Sequence, residues 1–266
     1  MPDNLILPEP LRSKPTGDFA WYWRYRGKFW PRDIKALTLM ATSGWSSRLA
    51  LSQWLVDHDP TINSITSGSI KRLWKRLADG HKHIYTLVDQ RNVIIDRAHN
   101  FQVSMVWLTE MGREFLAEMG VPWTVSEWDR LRLLHNGPRQ PTHTAMVILA
   151  AYLFRQRGYY TVVCPTVEAR LRPDLMLVDL NTGNPLYVEV EAPRHTGKTK
   201  RAQLKRKWEL VLELQDGVVI CALNPRQRAQ RVNSAKRVAL HGLATDLRTL
   251  SHEPHTLWTY AWGRYA

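Results

Sequence analysis

The sequence predicts a two-domain α/β protein, with a helical domain and β-hairpin followed by a domain of αβββαβ order around a mixed sheet. Three observations predict this fold class. The chain has 266 residues, enough for about two domains. Apolar residues recur at helical spacing between residues 31 and 120. Three strand-like runs follow a long apolar helix after residue 142.

Residues 1–30 are predicted to form a basic and aromatic strap. The segment WYWRYRGKFW interleaves aromatic side chains with Arg and Lys. Such a pattern can stack on bases while its cations meet phosphates, and its Trp residues can equally anchor the strap on the next domain. The segment lacks a charged start followed by an apolar core, so we expect no secretory signal.

Residues 31–120 are predicted to contain three helices, two strands and a closing helix. The helices lie in DIKALTLMA, SSRLALSQWLVD and SGSIKRLWKRLADG, and the closing helix lies in EMGREFLAEMG. The strands are predicted in HIYTLVD (83–89) and SMVWLT (104–109), separated by a polar span, RNVIIDRAHN. The predicted buried stripe of the third helix is Ile70, Leu73, Trp74 and Leu77.

This order of elements, with IKRLWKRLADG before the strands and WLTEMGREFL at their end, resembles winged-helix DNA-binding proteins. The resemblance implies that the third helix enters the major groove while the hairpin contacts the DNA backbone. Four basic residues on the polar side of that helix then become candidate DNA contacts: Lys71, Arg72, Lys75 and Arg76. A solvated surface, or a contact with another protein, is the alternative for these residues.

The remaining chain is predicted to be a linker, 121–141, and a second α/β domain, 142–266. A buried helix in HTAMVILAAYLFRQR, with Thr142 as its cap, leads to strands in YYTVVC, RLRPDLMLVDL and PLYVEVEA. The turn NTGN joins the last two of these strands. A basic helix over 198–215, a strand in GVVICAL and a helix from Pro225 through HGL complete the prediction.

Three carboxylates are predicted to converge on the hairpin of these strands. Side chains alternate along a strand, so Glu189 and Glu191 share one face with Tyr187. Asp174, on the preceding strand, should pair with Glu189 or its neighbour. Clustered carboxylates repel each other, and a divalent cation such as Mg²⁺ relieves that repulsion. Such an ion can activate water for attack on a phosphodiester.

The Pro-Asp pair, the strand-turn-strand and the Glu-x-Glu motif resemble the PD-(D/E)XK superfamily, the restriction-endonuclease-like fold. The resemblance implies that Asp174 and Glu189 are ligands of Mg²⁺ or Mn²⁺. It places Glu191 where most members have the catalytic lysine. The missing positive charge is then expected from the following helix, at Lys200 or Lys207, with Gln203 as a further candidate there. Glu168 is a weaker candidate for an additional acid.

A winged helix followed by RPD, YVEVE and a lysine-rich helix is also similar to the replication–relaxation family of mobile-element proteins, over about residues 30–225. The resemblance implies a role in replication, transfer or transposition of a mobile element, in the cytoplasm, with a second copy of the chain or other proteins of that complex as partners. Two functions follow from it. One is a metal-dependent DNA endonuclease, and the other is a DNA-binding accessory factor with a degenerate nuclease fold.

The charge of the chain favours double-stranded DNA as the partner. Its formal net charge is +13, which indicates an anionic partner. Residues 194–237 hold twelve Lys or Arg against three acids, as a surface that guides phosphates requires. The candidate DNA contacts in this segment are Arg194, Lys198, Arg201 and Lys205. No apolar run is long enough to span a bilayer, so no membrane partner is expected.

Several motifs have alternative interpretations. APRHTGKT (192–199) fits a phosphate-binding loop, but the strand before it carries glutamates, whereas such a strand is normally apolar on both faces. The three acids can also lie on a solvated hairpin surface.

His143 opens a helix near the hairpin and serves either that helix or the acidic site. We expect surface positions for His252 and His255, and buried free thiols for Cys164 and Cys221.

Overall fold

A computed structural model of the protein describes residues 19–20, 30–79, 86–168, 170–193 and 198–266. At residues 30 and 198–201 it describes the backbone but not the side chain. Most of the predicted strap, the first residues of the strand predicted at 83–89, and Arg194 lie outside these ranges. The fold is therefore given below for the described residues.

The chain divides into two compact units. One contains Val93–Val103 and Arg130–Ala266, and the other contains Ser104–Asp129 and the described part of residues 4–92. The division after Asp129 falls inside the segment that the sequence assigns to a linker, 121–141.

Helices and a hairpin make up the part of the chain before residue 135. In chain order the elements are α1 (Trp30–Ser43), α2 (Arg48–His58), α3 (Gly68–Ala78), β1 (Val88–Asp96), β2 (Phe101–Leu108), α4 (Glu110–Glu118) and α5 (Glu127–Leu134). Ser47, Ser67 and Thr109 cap α2, α3 and α4, since each side chain accepts a hydrogen bond from the main-chain N–H three residues later.

The apolar stripe of α3 is buried as the sequence predicts. Ile70, Leu73, Trp74 and Leu77 are each at most 1% exposed. The Trp74 indole Nε1 donates a 2.9 Å hydrogen bond to Ser52 Oγ on α2, so the largest side chain of the stripe also satisfies its polar atom. The opposite side of α3 is left to its basic residues.

The first strand of the hairpin lies later in the chain than predicted. The span RNVIIDRAHN was assigned to a polar connection, but β1 extends through it to Asp96. Val93 and Ile95 are buried while Ile94, between them, is exposed, so this span has the alternation of a strand that is buried on one face. The turn follows at 97–100 and ends at Asn100, whose φ is 48°.

The unit that contains Arg130–Ala266 has a mixed six-stranded sheet with helices. Its strands are hydrogen-bonded in the order β3-β4-β5-β6-β7-β8. β5, β6 and β7 are parallel, whereas β3, β4 and β8 each run antiparallel to a neighbour. In chain order the elements are α6 (Pro141–Arg155), β3 (Tyr159–Val163), β4 (Leu175–Asp179), β5 (Pro185–Glu191), α7 (Lys198–Leu212), β6 (Val218–Ala222), α8 (Pro225–Ala235), β7 (Gly242–Asp246), α9 (Leu247–His252) and β8 (Tyr260–Trp262). An α/β fold with a mixed sheet is therefore confirmed.

The C-terminal part differs from the prediction of one long helix after Pro225. α8 ends at Ala235, and residues 242–246 form β7, which pairs with β6 and β8. A side chain at Gly242 would place Cβ 2.2 Å from the Trp262 ring, so this glycine permits the aromatic C-terminal strand to pack closely. The segment after Ala235 is a turn that leads into a strand, which helical spacing alone did not reveal.

The buried helix α6 lies against β3 and β5, and every residue from Thr144 to Arg155 is buried. Pro141 occupies its first turn, and Thr142 is not its cap. Within the described ranges, no helix combines the length and the apolar character that crossing a membrane requires.

Candidate functional site

Strand pairing brings Asp174 next to Glu189. In the antiparallel β4–β5 ladder, Leu175 lies opposite Val188, so one residue further along Asp174 faces Glu189. The main-chain N–H of Val190 donates a 2.8 Å hydrogen bond to Asp174 Oδ2. The prediction that Asp174 pairs with Glu189 or its neighbour agrees with this geometry.

The three carboxylates are buried. Asp174 is 1% exposed, Glu189 is 2% exposed and Glu191 is fully buried. The alternative of a solvated acidic hairpin is therefore wrong for these residues. Because an isolated buried carboxylate is costly, each of them requires a partner inside the protein.

Lys207 on α7 is the partner of both glutamates. Its Nζ lies 2.5 Å from Glu189 Oε2 and 2.6 Å from Glu191 Oε1. Lys207 is the tenth residue of α7, on the same side as the buried Leu204 and Trp208. Lys207 is therefore the helix residue that brings a positive charge next to Glu191, as the sequence led us to expect.

A second cation reaches Glu191 from the next helix. Arg231 on α8 places its Nε 3.1 Å from Glu191 Oε2, and its Nη2 lies 3.4 Å from the Ala192 carbonyl oxygen. Glu191 therefore lies between two cations, and its carboxylate holds both basic side chains in place.

Two histidines converge on Asp174. His135, just after α5, places its Nδ1 3.3 Å from Asp174 Oδ1. His143, in the first turn of α6, places its Nε2 3.2 Å from the same oxygen and 3.1 Å from the carbonyl oxygen of Val190. The sequence marked His143 as a residue that approaches the site, but it gave no signal for His135, which is eight positions away in an irregular segment.

Charges and burial together set the protonation of this cluster. Burial alone would raise the pKa of Asp174, but the ion pair with His143 holds it well below its usual range. Burial acts to lower the pKa of His143, but the nearby Asp174 carboxylate raises it above its ordinary value. Burial lowers the pKa of His135 below its ordinary value. Burial raises the pKa of Glu189 despite its contact with Lys207.

The cluster offers both oxygen and nitrogen donors for a metal. Nδ1 of His135, Nε2 of His143 and one oxygen of Asp174 lie within 4.8 Å of one another. Glu189 Oε1 is buried and has no hydrogen-bond partner in the part of the chain that the structure describes. An orphaned buried carboxylate oxygen beside a second carboxylate suits a divalent cation, since hard cations prefer such donors.

The other predicted site residues fall into three groups. Lys71, Arg72, Lys75 and Lys205 are exposed. Arg76 is different, because its guanidinium pairs with the fully buried Asp33 and is not free on the helix surface. The structure places Lys198, Lys200 and Arg201 on α7 but does not describe their side chains, while Arg194 lies outside the described residues.

The remaining candidates from the sequence are either exposed residues or buried free thiols. Gln203 and Glu168 are exposed, so neither joins the buried carboxylates. His252 and His255 are exposed as predicted, and Cys164 and Cys221 are buried free thiols as predicted.

Comparisons of the chain with protein-family models, with curated proteins and with solved structures find no significant match. The interpretation of the site accordingly depends on its residues and their geometry.

Proposed function

We propose that the protein binds double-stranded DNA and cleaves it with a divalent metal, through a PD-(D/E)XK-like centre at Asp174, Glu189 and Lys207. One observation carries the proposal. Asp174, directly before β4, continues the β4–β5 register opposite Glu189, and a lysine from the following helix contacts Glu189. A purely structural ion pair does not require a second buried carboxylate with an unpartnered oxygen.

Each residue of the centre has a chemical task in this proposal. Asp174 and Glu189 would hold Mg²⁺ or Mn²⁺, and the bound ion would activate water and stabilise charge on the phosphate. The Val190 N–H fixes the Asp174 carboxylate, which keeps its second oxygen directed into the cluster. Lys207, whose ammonium contacts both glutamates, would supply positive charge next to the phosphate that the metal holds.

The helical part of the chain supports the DNA-binding half of the proposal. Three helices, a hairpin and a further helix follow the order of a winged helix, and α3 exposes Lys71, Arg72 and Lys75. Such a helix contacts the major groove or its phosphates. A net charge of +13 supplies long-range attraction to DNA. A role in a mobile-element complex, as in the replication–relaxation family, is the corresponding biological proposal.

A second candidate function is a DNA-binding accessory factor that has lost cleavage. The observation that favours it is the pairing of the acids: Glu191 contacts both Lys207 and Arg231, at the position where most members of the superfamily carry the lysine. A cluster that is neutralised by the protein's own cations can serve stability alone.

A cleavage assay separates the two functions. Supercoiled and linear DNA are incubated with the protein and Mg²⁺ or Mn²⁺, with a chelator as the metal-free reaction, and with Asp174→Ala and Glu189→Ala as variants. The nuclease proposal expects metal-dependent nicking or linearisation that both variants lose while they still bind DNA. Absence of cleavage with either metal, with DNA binding intact, assigns the protein to the accessory class.

A further inference from the structure

The pair of histidines on Asp174 is a second feature of the cluster that the proposed nuclease chemistry does not use. Their nitrogens approach one carboxylate oxygen at 3.3 and 3.2 Å. Hydrogen bonds between an imidazolium and a carboxylate are shorter, at about 2.7–2.9 Å. Ligand atoms around a tetrahedral metal with bonds of about 2.0–2.1 Å are separated by about 3.3–3.4 Å. Both distances are compatible with ligands that share one metal ion, and the three ligand atoms all lie within 4.8 Å of one another.

We propose that His135, His143 and Asp174 form a binding site for a first-row transition-metal ion, of the class that includes Zn²⁺, Co²⁺ and Mn²⁺. Two imidazoles with one carboxylate are a donor set that suits these ions, whereas Mg²⁺ prefers oxygen donors and water. Three protein ligands leave a position for water, as in catalytic zinc sites. The inference deepens the proposed function and rests on it for the role of the metal, since it names the metal that the cluster would use.

The surroundings of the three ligands are suited to holding them in place. Asp174 Oδ2 accepts the Val190 N–H at 2.8 Å, which directs Oδ1 toward the histidines and is the outer contact that metal-bound carboxylates commonly have. The two imidazole rings are nearly parallel, with an interplanar angle of 17° and centroids 6.1 Å apart. Lys207 is engaged by Glu189 and Glu191, so its ammonium is held on the two glutamates.

His135 directs one of its two ring nitrogens at the cluster. Its Nδ1 lies 3.3 Å from Asp174 Oδ1, whereas its Nε2 is buried and has no hydrogen-bond partner among the described residues. The metal ligand that this ring offers is therefore Nδ1.

The test uses the full chain, stripped of metal with a chelator and titrated with Co²⁺ while the visible d–d absorption is recorded. We expect one Co²⁺ per chain, displaced by Zn²⁺ and not by a large excess of Mg²⁺. His135→Ala and His143→Ala should each weaken Co²⁺ binding by at least about tenfold, the lower end of the loss seen when a supporting contact is removed. His255→Ala, at an exposed position, is the matched control and should bind as the wild type does.

The glutamine variants His135→Gln and His143→Gln accompany the alanine variants, because glutamine preserves polarity and size if alanine disturbs folding. Far-UV circular dichroism confirms that each variant is folded. The inference is overturned if the wild-type protein takes up no Co²⁺ at one equivalent, or if folded variants of both histidines bind Co²⁺ as tightly as the wild type.

The outcomes for this site and for the nuclease function are distinguishable. DNA cleavage with Mg²⁺ by a protein that takes up no Co²⁺ overturns the transition-metal site and leaves the proposed function standing. If Co²⁺ binding depends on the histidines but none of the metals supports DNA cleavage, the site is supported and the proposed function is overturned.

Discussion

Lys207 Nζ lies 2.5 Å from Glu189 Oε2, which joins α7 to the central strand of the acidic cluster. The same nitrogen lies 2.6 Å from Glu191 Oε1, so one ammonium is shared by two buried carboxylates. In the proposed PD-(D/E)XK-like centre, Lys207 on the helix supplies a positive charge next to Glu191 on the strand.

Replacing Lys207 tests this pairing through stability. Lys207→Met leaves two buried glutamates without their shared cation, and we expect a loss of about 3–5 kcal/mol in the free energy of unfolding, as for other broken buried ion pairs. Lys205→Met is the matched control on the same helix, because Lys205 is 65% exposed in its side chain and pairs only loosely with Glu209. Lys205→Met should change the free energy of unfolding by no more than about 0.5 kcal/mol. Urea unfolding followed by circular dichroism measures both, and equal losses would contradict the pairing.

We expect Arg76 to stabilise the fold, whereas its neighbour Lys75 on α3 should not be needed for stability. Arg76 Nε donates to the fully buried Asp33 at 3.1 Å, so Arg76→Met should destabilise the protein by about 3–5 kcal/mol. Lys75→Met, at an exposed position of the same helix, should leave stability within about 0.5 kcal/mol. Thermal and urea unfolding measure the difference. An unchanged unfolding free energy for Arg76→Met would refute its structural role.

The exposed basic face of α3 should contribute phosphate or base contacts. Lys71→Ala, Arg72→Ala and Lys75→Ala should each weaken binding to duplex DNA, and each lost phosphate contact should reduce the slope of log affinity against log salt by about 0.9. Arg264→Ala removes the same charge from an exposed arginine that pairs with Asp216, and it serves as the control. Fluorescence anisotropy at several salt concentrations gives the slopes. Variants of α3 that behave like Arg264→Ala would exclude α3 from the DNA interface.

The two cysteines should be unreactive until the protein unfolds. Burial raises the pKa of the Cys164 thiol to about 12 and also raises that of Cys221, so neither forms the reactive thiolate near the ordinary thiol pKa of about 8.5. We expect iodoacetamide to modify neither cysteine at that pH in the native state and to modify both in urea. Mass spectrometry counts the additions, and rapid native modification of either thiol would show that its surroundings are open.

The sequence was sufficient for the parts of the fold that depend on local periodicity. The stripe on α3 and the side-chain alternation around Glu189 follow from spacings of 3.6 and 2 residues, and both were predicted. The bounds of β1 and the presence of β7 were not, because short apolar runs fit more than one element, and β7 is defined by its pairing with β6 and β8.

The candidate site was predictable only in part for the same physical reason. Asp174, Glu189 and Glu191 lie on one hairpin, so strand geometry relates them directly. Lys207 was one of several positions on a basic helix, and only packing of α7 selects it. His135 reaches Asp174 from 39 positions earlier in the chain, a contact that no local pattern encodes.

The rate of metal-dependent DNA cleavage by Glu189→Gln, relative to the wild type, tests the central claim most directly. Glutamine preserves the size of Glu189 but removes the charge of the carboxylate that lies beside Asp174 and carries the unpartnered oxygen. Glu213→Gln, at an exposed position of the same unit, is the control. The account predicts that single-turnover cleavage with Mg²⁺ or Mn²⁺ falls by at least about 10²-fold for Glu189→Gln, with DNA affinity unchanged and Glu213→Gln active. Cleavage by Glu189→Gln at the wild-type rate, or no cleavage by the wild type with either metal, would contradict it.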